Sequence, residues 1–242
     1  MIIEGNLSVK AALLGQQREV LRLYIDEEKH SRDLSYIKHR ADEKNVPITY
    51  LSRPEIDAMA SGHTHGGLLA EVTPARWQEL SDIHAENPFY VLVEGIEVPF
   101  NLGYIMRTLY SAGCCGLLLR KRSWETAEST IIKASAGASE YLNVVMCEDP
   151  VAAIRRLKEQ GVVCCAAMRK DADIYYEADF TVPLLLAIGG EMRGLSSAVL
   201  KEIDRNIYIP YANDFRNALN AAAATAVLAF EVERQRASAL RI

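Results

Sequence analysis

From Phe89 onward, short apolar runs alternate with segments of helical spacing, and this alternation constrains the chain more than any other feature of it. FYVLVEG, CGLLL, LNVVMC, VVCCAAM, PLLLAIGGE and NIYIP each read as a strand. Between them, helices are expected over about Leu102 to Ala112, Glu125 to Ser135 and VAAIRRLKEQG, which stops at Gly161. A long Ala-rich helix over Asn217 to Arg236 closes the chain. Strands separated by helices, and apolar throughout, imply a parallel sheet covered on both faces. The first 72 residues repeat the α/β theme on a smaller scale. SVKAALLG reads as a helix, Val20 to Ile25 as a strand, Arg32 to Lys44 as a charged helix, PITYL as a strand, Pro54 to Ala60 as a short helix and GLLAEV as a closing strand. Thr73 to Pro88 is polar with a proline near each end and reads as a linker. The expected fold class is therefore α/β, with a small domain over 1–72, a linker over 73–88 and a larger domain over 89–242.

Charge narrows the partners. The formal net charge is −5, from 27 Lys and Arg against 32 Asp and Glu. A nucleic-acid partner would thus need a local basic surface, since phosphate contacts require Lys and Arg. The five cysteines, Cys114, Cys115, Cys147, Cys164 and Cys165, sit in apolar runs without a CxxC pair, as in a reduced cytoplasmic protein. MIIEGNLSVK lacks the pattern of a signal peptide, and no apolar run nears the roughly 20 residues of a membrane span. His63 and His65 flank Thr64, but no cysteine or carboxylate cluster accompanies them, so no metal is expected.

A covered parallel sheet usually holds a nucleotide-like ligand, yet neither G-x-G-x-x-G nor G-x-x-x-x-G-K-[ST] occurs. Three other segments stand out: N-L-G-Y-I-M-R (Asn101 to Arg107), I-G-G-E-M-R-G-L-S (Ile188 to Ser196) and I-P-Y-A with N-A-L-N (Ile209 to Asn220). Taken singly, each has a plain structural reading, such as a helix cap at Asn101 or a strand-to-helix turn at Gly189-Gly190-Glu191. As an ordered set they resemble the three signature motifs of the SpoU/TrmH family of RNA ribose methyltransferases, within the SPOUT superfamily. The first motif is matched by Asn101, Gly103 and Arg107, the second by Gly189, Glu191, Gly194 and Leu195, the third by Ile209-Pro210 and Leu219-Asn220. The small-residue stretch Ala134 to Ala138 adds to the likeness. EGNLSVKAALLG and HTHGGLLAEV resemble the ends of an RNA-binding domain found in many members.

The resemblance implies a trefoil-knotted, parallel-sheet methyltransferase domain behind a small N-terminal α/β RNA-binding domain. It implies S-adenosylmethionine as cofactor, held by Ile188, Gly189, Gly190, Ile209, Pro210 and Leu219. It implies a catalytic set of Arg107, Asn101, Glu191 and Asn220, RNA contacts from Arg193, Arg216 and Asn217, and a homodimer whose active site completes across two subunits. The implied reaction is methylation of a ribose 2′-hydroxyl, in ribosomal RNA more than transfer RNA. A catalytically silent RNA-binding protein on the same scaffold is the rival reading. The departures lie at Val98, where the family has Asp before the proline, and at Ala218, where it has a serine. Lys121-Arg122, Arg155-Arg156-Lys158 and Arg169-Lys170 are further candidates for basic surface.

Overall fold

The computed structural model describes residues 1–190 and 193–239. The chain opens with β1 (Ile2–Glu4), α1 (Asn6–Leu14), β2 (Val20–Asp26), α2 (Arg32–Glu43), β3 (Ile48–Leu51), α3 (Arg53–Met59) and β4 (Leu68–Val72). It continues through β5 (Phe89–Glu94), α4 (Pro99–Ser111), β6 (Gly116–Arg120), α5 (Glu128–Ala134), β7 (Val144–Cys147), α6 (Pro150–Glu159) and β8 (Val163–Ala167). It ends with β9 (Ala172–Ile174), β10 (Leu184–Gly189), α7 (Ser197–Leu200), β11 (Arg205–Tyr208) and α8 (Ala221–Ala239). The starts of the helices follow from local chemistry. Ser31 Oγ accepts the Leu34 N–H ahead of α2, Asp149 accepts the Val151 N–H ahead of α6, and Ser52 and Glu55 cap α3 reciprocally. Pro99 and Pro150 stand in the first turns of α4 and α6, where the missing N–H costs nothing.

The chain divides into two compact units. The first comprises Met1–Arg76 together with Trp124–Tyr141. Its sheet runs β1-β4-β2-β3, with β2 and β3 parallel and the other pairs antiparallel. Ile3, Leu13, Leu23, Ile25, Leu34, Ile37 and Leu68 form its core, and Ile132 of α5 packs among them. Arg18 fixes the same returning segment: its Nη1 lies 2.7 Å from Glu128 Oε2 and its Nε 2.8 Å from Glu140 Oε2, with all three side chains buried. Lys133 pairs with Glu4. The helix over Glu125 to Ser135, which periodicity assigns to the second block, thus packs with the first. Residues 125–127 form a 3-10 turn and only Glu128–Ala134 is α-helical. The stretch after Val72 is partly anchored too, since the Arg76 N–H donates to the Gln17 carbonyl.

The second unit comprises Trp77–Ser123 and the described residues from Leu142 on. Among the described residues its sheet has seven strands in the order β7-β6-β5-β10-β8-β11-β9, every pairing parallel. The central strands β5 and β10 are buried almost end to end, as continuous apolar runs require. Two of these elements, β9 and α7, and β1 of the first unit are absent from the reading by periodicity; each spans only three or four residues. The closing helix begins at Ala221, four residues later than its composition suggests.

Candidate active site

The carboxyl ends of β8, β10 and β11 open into a cavity of about 560 Å³. Ligands of parallel α/β sheets bind at this end of the strands. Ile188, Gly189 and Gly190 form one wall, with Gly194 and Leu195. Ile209, Tyr211, Arg216, Asn217, Ala218, Leu219 and Asn220 form another, and Ala221, Ala224 and Leu228 close it from α8. The second and third motifs therefore meet at one hollow. Pro210 stands exposed and is not among the residues lining it. Glu191 lies outside the described residues.

The glycines of the second motif are required by the protein's own backbone. A Cβ on Gly190 would collide with the Gly95 carbonyl oxygen, and one on Gly189 would lie 2.6 Å from Gly194 Cα. The Gly190 N–H donates to the Glu94 carbonyl at 2.6 Å, and the Gly194 N–H to the Gly190 carbonyl at 3.1 Å. Glu94 also holds this turn with its buried side chain, whose Oε2 accepts the Ser196 N–H at 2.7 Å and whose Oε1 lies 3.4 Å from Arg120 Nη2. Sequence reasoning missed Glu94, although one carboxylate ending the apolar run FYVLVE is a signal for a buried acid with a fixed task.

The third motif is an irregular loop ending at a helix. Asn220 Oδ1 accepts the Ala223 N–H at 2.8 Å and so caps α8. The Tyr211 hydroxyl accepts the Leu219 N–H at 2.8 Å. Arg169, just beyond β8, donates to the carbonyls of Phe215, Arg216 and Asn217.

The first motif sits on α4. Arg107 is exposed and shares a helical face with Phe100 and Tyr104, at intervals of seven and three residues. Neither Asn101 nor Arg107 is among the described residues lining the cavity. The α4 helix packs against α8, which supplies one wall of that cavity. Arg193 is exposed in the turn beside Gly194. Several cations of the predicted basic patches are engaged elsewhere. Lys121 pairs with Glu148, Arg155 with Glu202 at 2.7 Å, and Lys158 with Asp204 at 2.6 Å.

His65 is buried, accepts the Gly67 N–H on Nδ1 and directs Nε2 at Asp57, 3.1 Å away, which is a structural use. Burial pushes the Cys147 and Cys165 thiols up to about 11 and Cys164 up to about 12, so all three stay protonated near neutral pH. Among the described residues no group of three His, Cys, Asp or Glu side chains could hold a metal ion. No described helix is long and apolar enough to cross a membrane.

Known proteins resemble this chain in sequence and in fold. The profile of the SpoU rRNA methylase family matches residues 88–230, and that of RNA 2′-O ribose methyltransferase substrate binding matches residues 2–78. A protein assigned to the TrmH family of tRNA/rRNA methyltransferases, YacO of Bacillus subtilis, is 29% identical over 229 residues, covering 92% of this chain and 91% of its own. The 23S rRNA (guanosine-2′-O-)-methyltransferase RlmB of Pseudomonas putida is 28% identical over 240 residues, covering 97% and 96%. The crystal structure of the SpoU methyltransferase AviRb from Streptomyces viridochromogenes, in complex with AdoMet, superposes with a TM-score of 0.82 at 22% identity, covering 98% of this chain and 91% of that one. The motif loops that wall the cavity fall inside the matched span, and the chain belongs to the SpoU rRNA methylase family.

Proposed function

We propose that this protein transfers a methyl group from S-adenosylmethionine to a ribose 2′-hydroxyl of structured RNA, with ribosomal RNA as the substrate. The observation that carries this reading is the cavity at the strand ends, walled by two of the family's motif loops. Its volume of about 560 Å³ is that of a site for one small ligand. Ile188, Leu195, Ile209 and Leu228 offer apolar walls for a purine, and the surrounding loops offer backbone polar groups for the rest of the cofactor. Bound there, S-adenosylmethionine supplies an electrophilic methyl group on a sulfonium.

The remaining work falls to the chain's own residues. The Arg107 side chain offers a fork of N–H donors and no acceptor, so its part is that of a donor. It stabilises charge developing on the ribose oxygen, or grips the adjoining phosphate, and Asn101 and Glu191 orient it. Asn220 acts by fixing the first turn of α8 beside the cavity, since its side-chain oxygen is committed to the Ala223 N–H. Arg193, Arg216 and Asn217 contact RNA, the last two from the cavity wall. Ala218 lines that wall as well, so its departure from serine alters a substrate contact and leaves the hollow in place.

The working form is a homodimer through α4 and α8. Phe100 and Tyr104 are exposed on the Arg107 face of α4, and Phe230 is exposed on α8. Arg107 of one subunit would then serve the cavity of its partner. The trefoil threading of the last segment belongs to the same reading, as do RNA capture by the first unit and a cytoplasmic site of action.

The test is transfer of labelled methyl groups from S-adenosylmethionine to ribosomal RNA that lacks the native modification. Arg107→Ala should lower the rate by a factor of about 10² to 10³ and leave cofactor affinity nearly intact. RNA binding without methyl transfer to any ribosomal RNA would favour the silent scaffold instead.

A further inference from the structure

The loop from Ile209 to Asn220 walls the cavity yet contains neither helix nor strand. Its backbone groups have no ladder to hold them, so side chains must set its shape. One side chain outside the loop meets it in four places. Arg169 Nη1 donates to the carbonyl oxygens of Phe215 at 3.3 Å and Arg216 at 3.1 Å, and Nη2 donates to that of Asn217 at 3.1 Å. The same guanidinium lies 4.3 Å from the centre of the Tyr211 ring. That ring's hydroxyl accepts the Leu219 N–H. The start and the end of the loop are thus both tied to one cation, which itself stands just beyond the end of β8. Only a guanidinium combines a planar face for stacking with enough fixed donors for three carbonyls.

We propose that Arg169 is the positioning residue of the cofactor loop, holding residues 209–220 in the conformation that receives S-adenosylmethionine. This rests on the cofactor reading given above. Arg169 also lines the cavity, and faster exchange in the ligand-free loop is what distinguishes its action through the carbonyls and the tyrosine from a direct contact with the cofactor. When a site is competent only part of the time, its apparent dissociation constant rises by the inverse of that fraction. Arg169 is exposed, so removing it opens no hole in the core.

The experiment uses the full chain with Arg169→Ala, Arg169→Lys and Tyr211→Phe. Three measurements are made: S-adenosylmethionine affinity by calorimetry, amide hydrogen exchange over residues 211–219 without ligand, and separate KM values for cofactor and RNA. Arg169→Ala should speed exchange in the ligand-free loop and weaken cofactor binding about tenfold or more. Its KM for S-adenosylmethionine should rise in the same ratio, with kcat within about twofold and the melting temperature unchanged, and any rise in the KM for RNA should accompany it, since Arg216 and Asn217 stand on the same loop. Arg169→Lys keeps the charge but cannot span three carbonyls, and should stay near Arg169→Ala. Tyr211→Phe keeps the stacked ring, loses the Leu219 contact and should fall between. Unchanged affinity and exchange in Arg169→Ala would overturn the proposal and leave the cofactor reading standing. Wild-type behaviour in Arg169→Lys, or a raised KM for RNA alone, would also overturn it, showing a point charge or an RNA contact. A wild-type protein that does not bind S-adenosylmethionine would overturn both.

Discussion

Arg18 and Glu4 show how far single residues of the first unit decide its stability. Arg18 faces Glu128 and Glu140, whose side chains are 5% and 1% exposed. Arg18→Met would leave both carboxylates buried with no cation, and should cost about 3–5 kcal/mol in urea unfolding. Glu140 and Glu4 respond to pH in opposite directions. Burial raises Glu140 above the ordinary carboxylate range, more than Arg18 lowers it. Its favourable contribution is therefore present at low pH and fades as pH rises through its folded value. Burial would raise Glu4 as well, but the contacts with Lys133 and Ser61 outweigh it and hold that carboxyl below the ordinary range. Its contribution is present above the unfolded glutamate value, about 4.3, and is lost as pH falls through the depressed folded value. Glu4→Gln should thus lower stability at pH 7, and its difference from wild type should vanish in acid unfolding curves toward pH 3. None of these ion pairs could be read from spacing, because their members lie 110 to 129 residues apart in the chain.

At the scale of elements, the helices and strands longer than about four residues were legible because hydrophobic period and caps agree. In the fold, Ser31, Ser52 and Asp149 cap helix starts, and α4 begins at Pro99, three residues before the start that periodicity gives. The allegiance of α5 was not legible, since its residues carry a helical pattern with nothing to say which core Ile132 enters. This changes what a truncation should do. Removing residues 1–72 strips Ile132 of its core and Glu128 and Glu140 of Arg18. The shortened protein should be less soluble and should melt earlier by calorimetry. A version that also replaces residues 124–141 with a short Gly-Ser linker should recover much of the loss. Equal behaviour of the two versions would mean that the segment is held by something other than the first unit.

For the whole molecule, the separation of Arg107 from the cavity-lining residues makes a prediction about assembly. In a two-fold dimer with a shared site, Arg107 of each subunit serves the other subunit's cavity. Arg107→Ala and the cavity-filling Ala224→Phe should each be inactive alone. After unfolding and refolding together, half of the dimers are mixed, and each mixed dimer regains one intact site. About a quarter of wild-type activity should return. A site built within one subunit would give no recovery, and light scattering on the wild type would separately show a monomer if the exposed face of α4 has no partner.

The sequence by itself determined the α/β class, the parallel sheet and the three motif segments, because these depend on local period, local caps and an ordered set of residues within short windows. It pointed to Gly189 and Gly190 without the reason for them, which is the approach of Gly95 and Gly194. Only the tertiary structure decided that Glu94 grips the glycine turn, that Arg169 and Tyr211 shape the loop before α8, and that Asn220 spends its side chain on a cap. These contacts join residues from separate strands and loops, and an ordered contact between such residues exists only once the parallel sheet has brought the strand ends together.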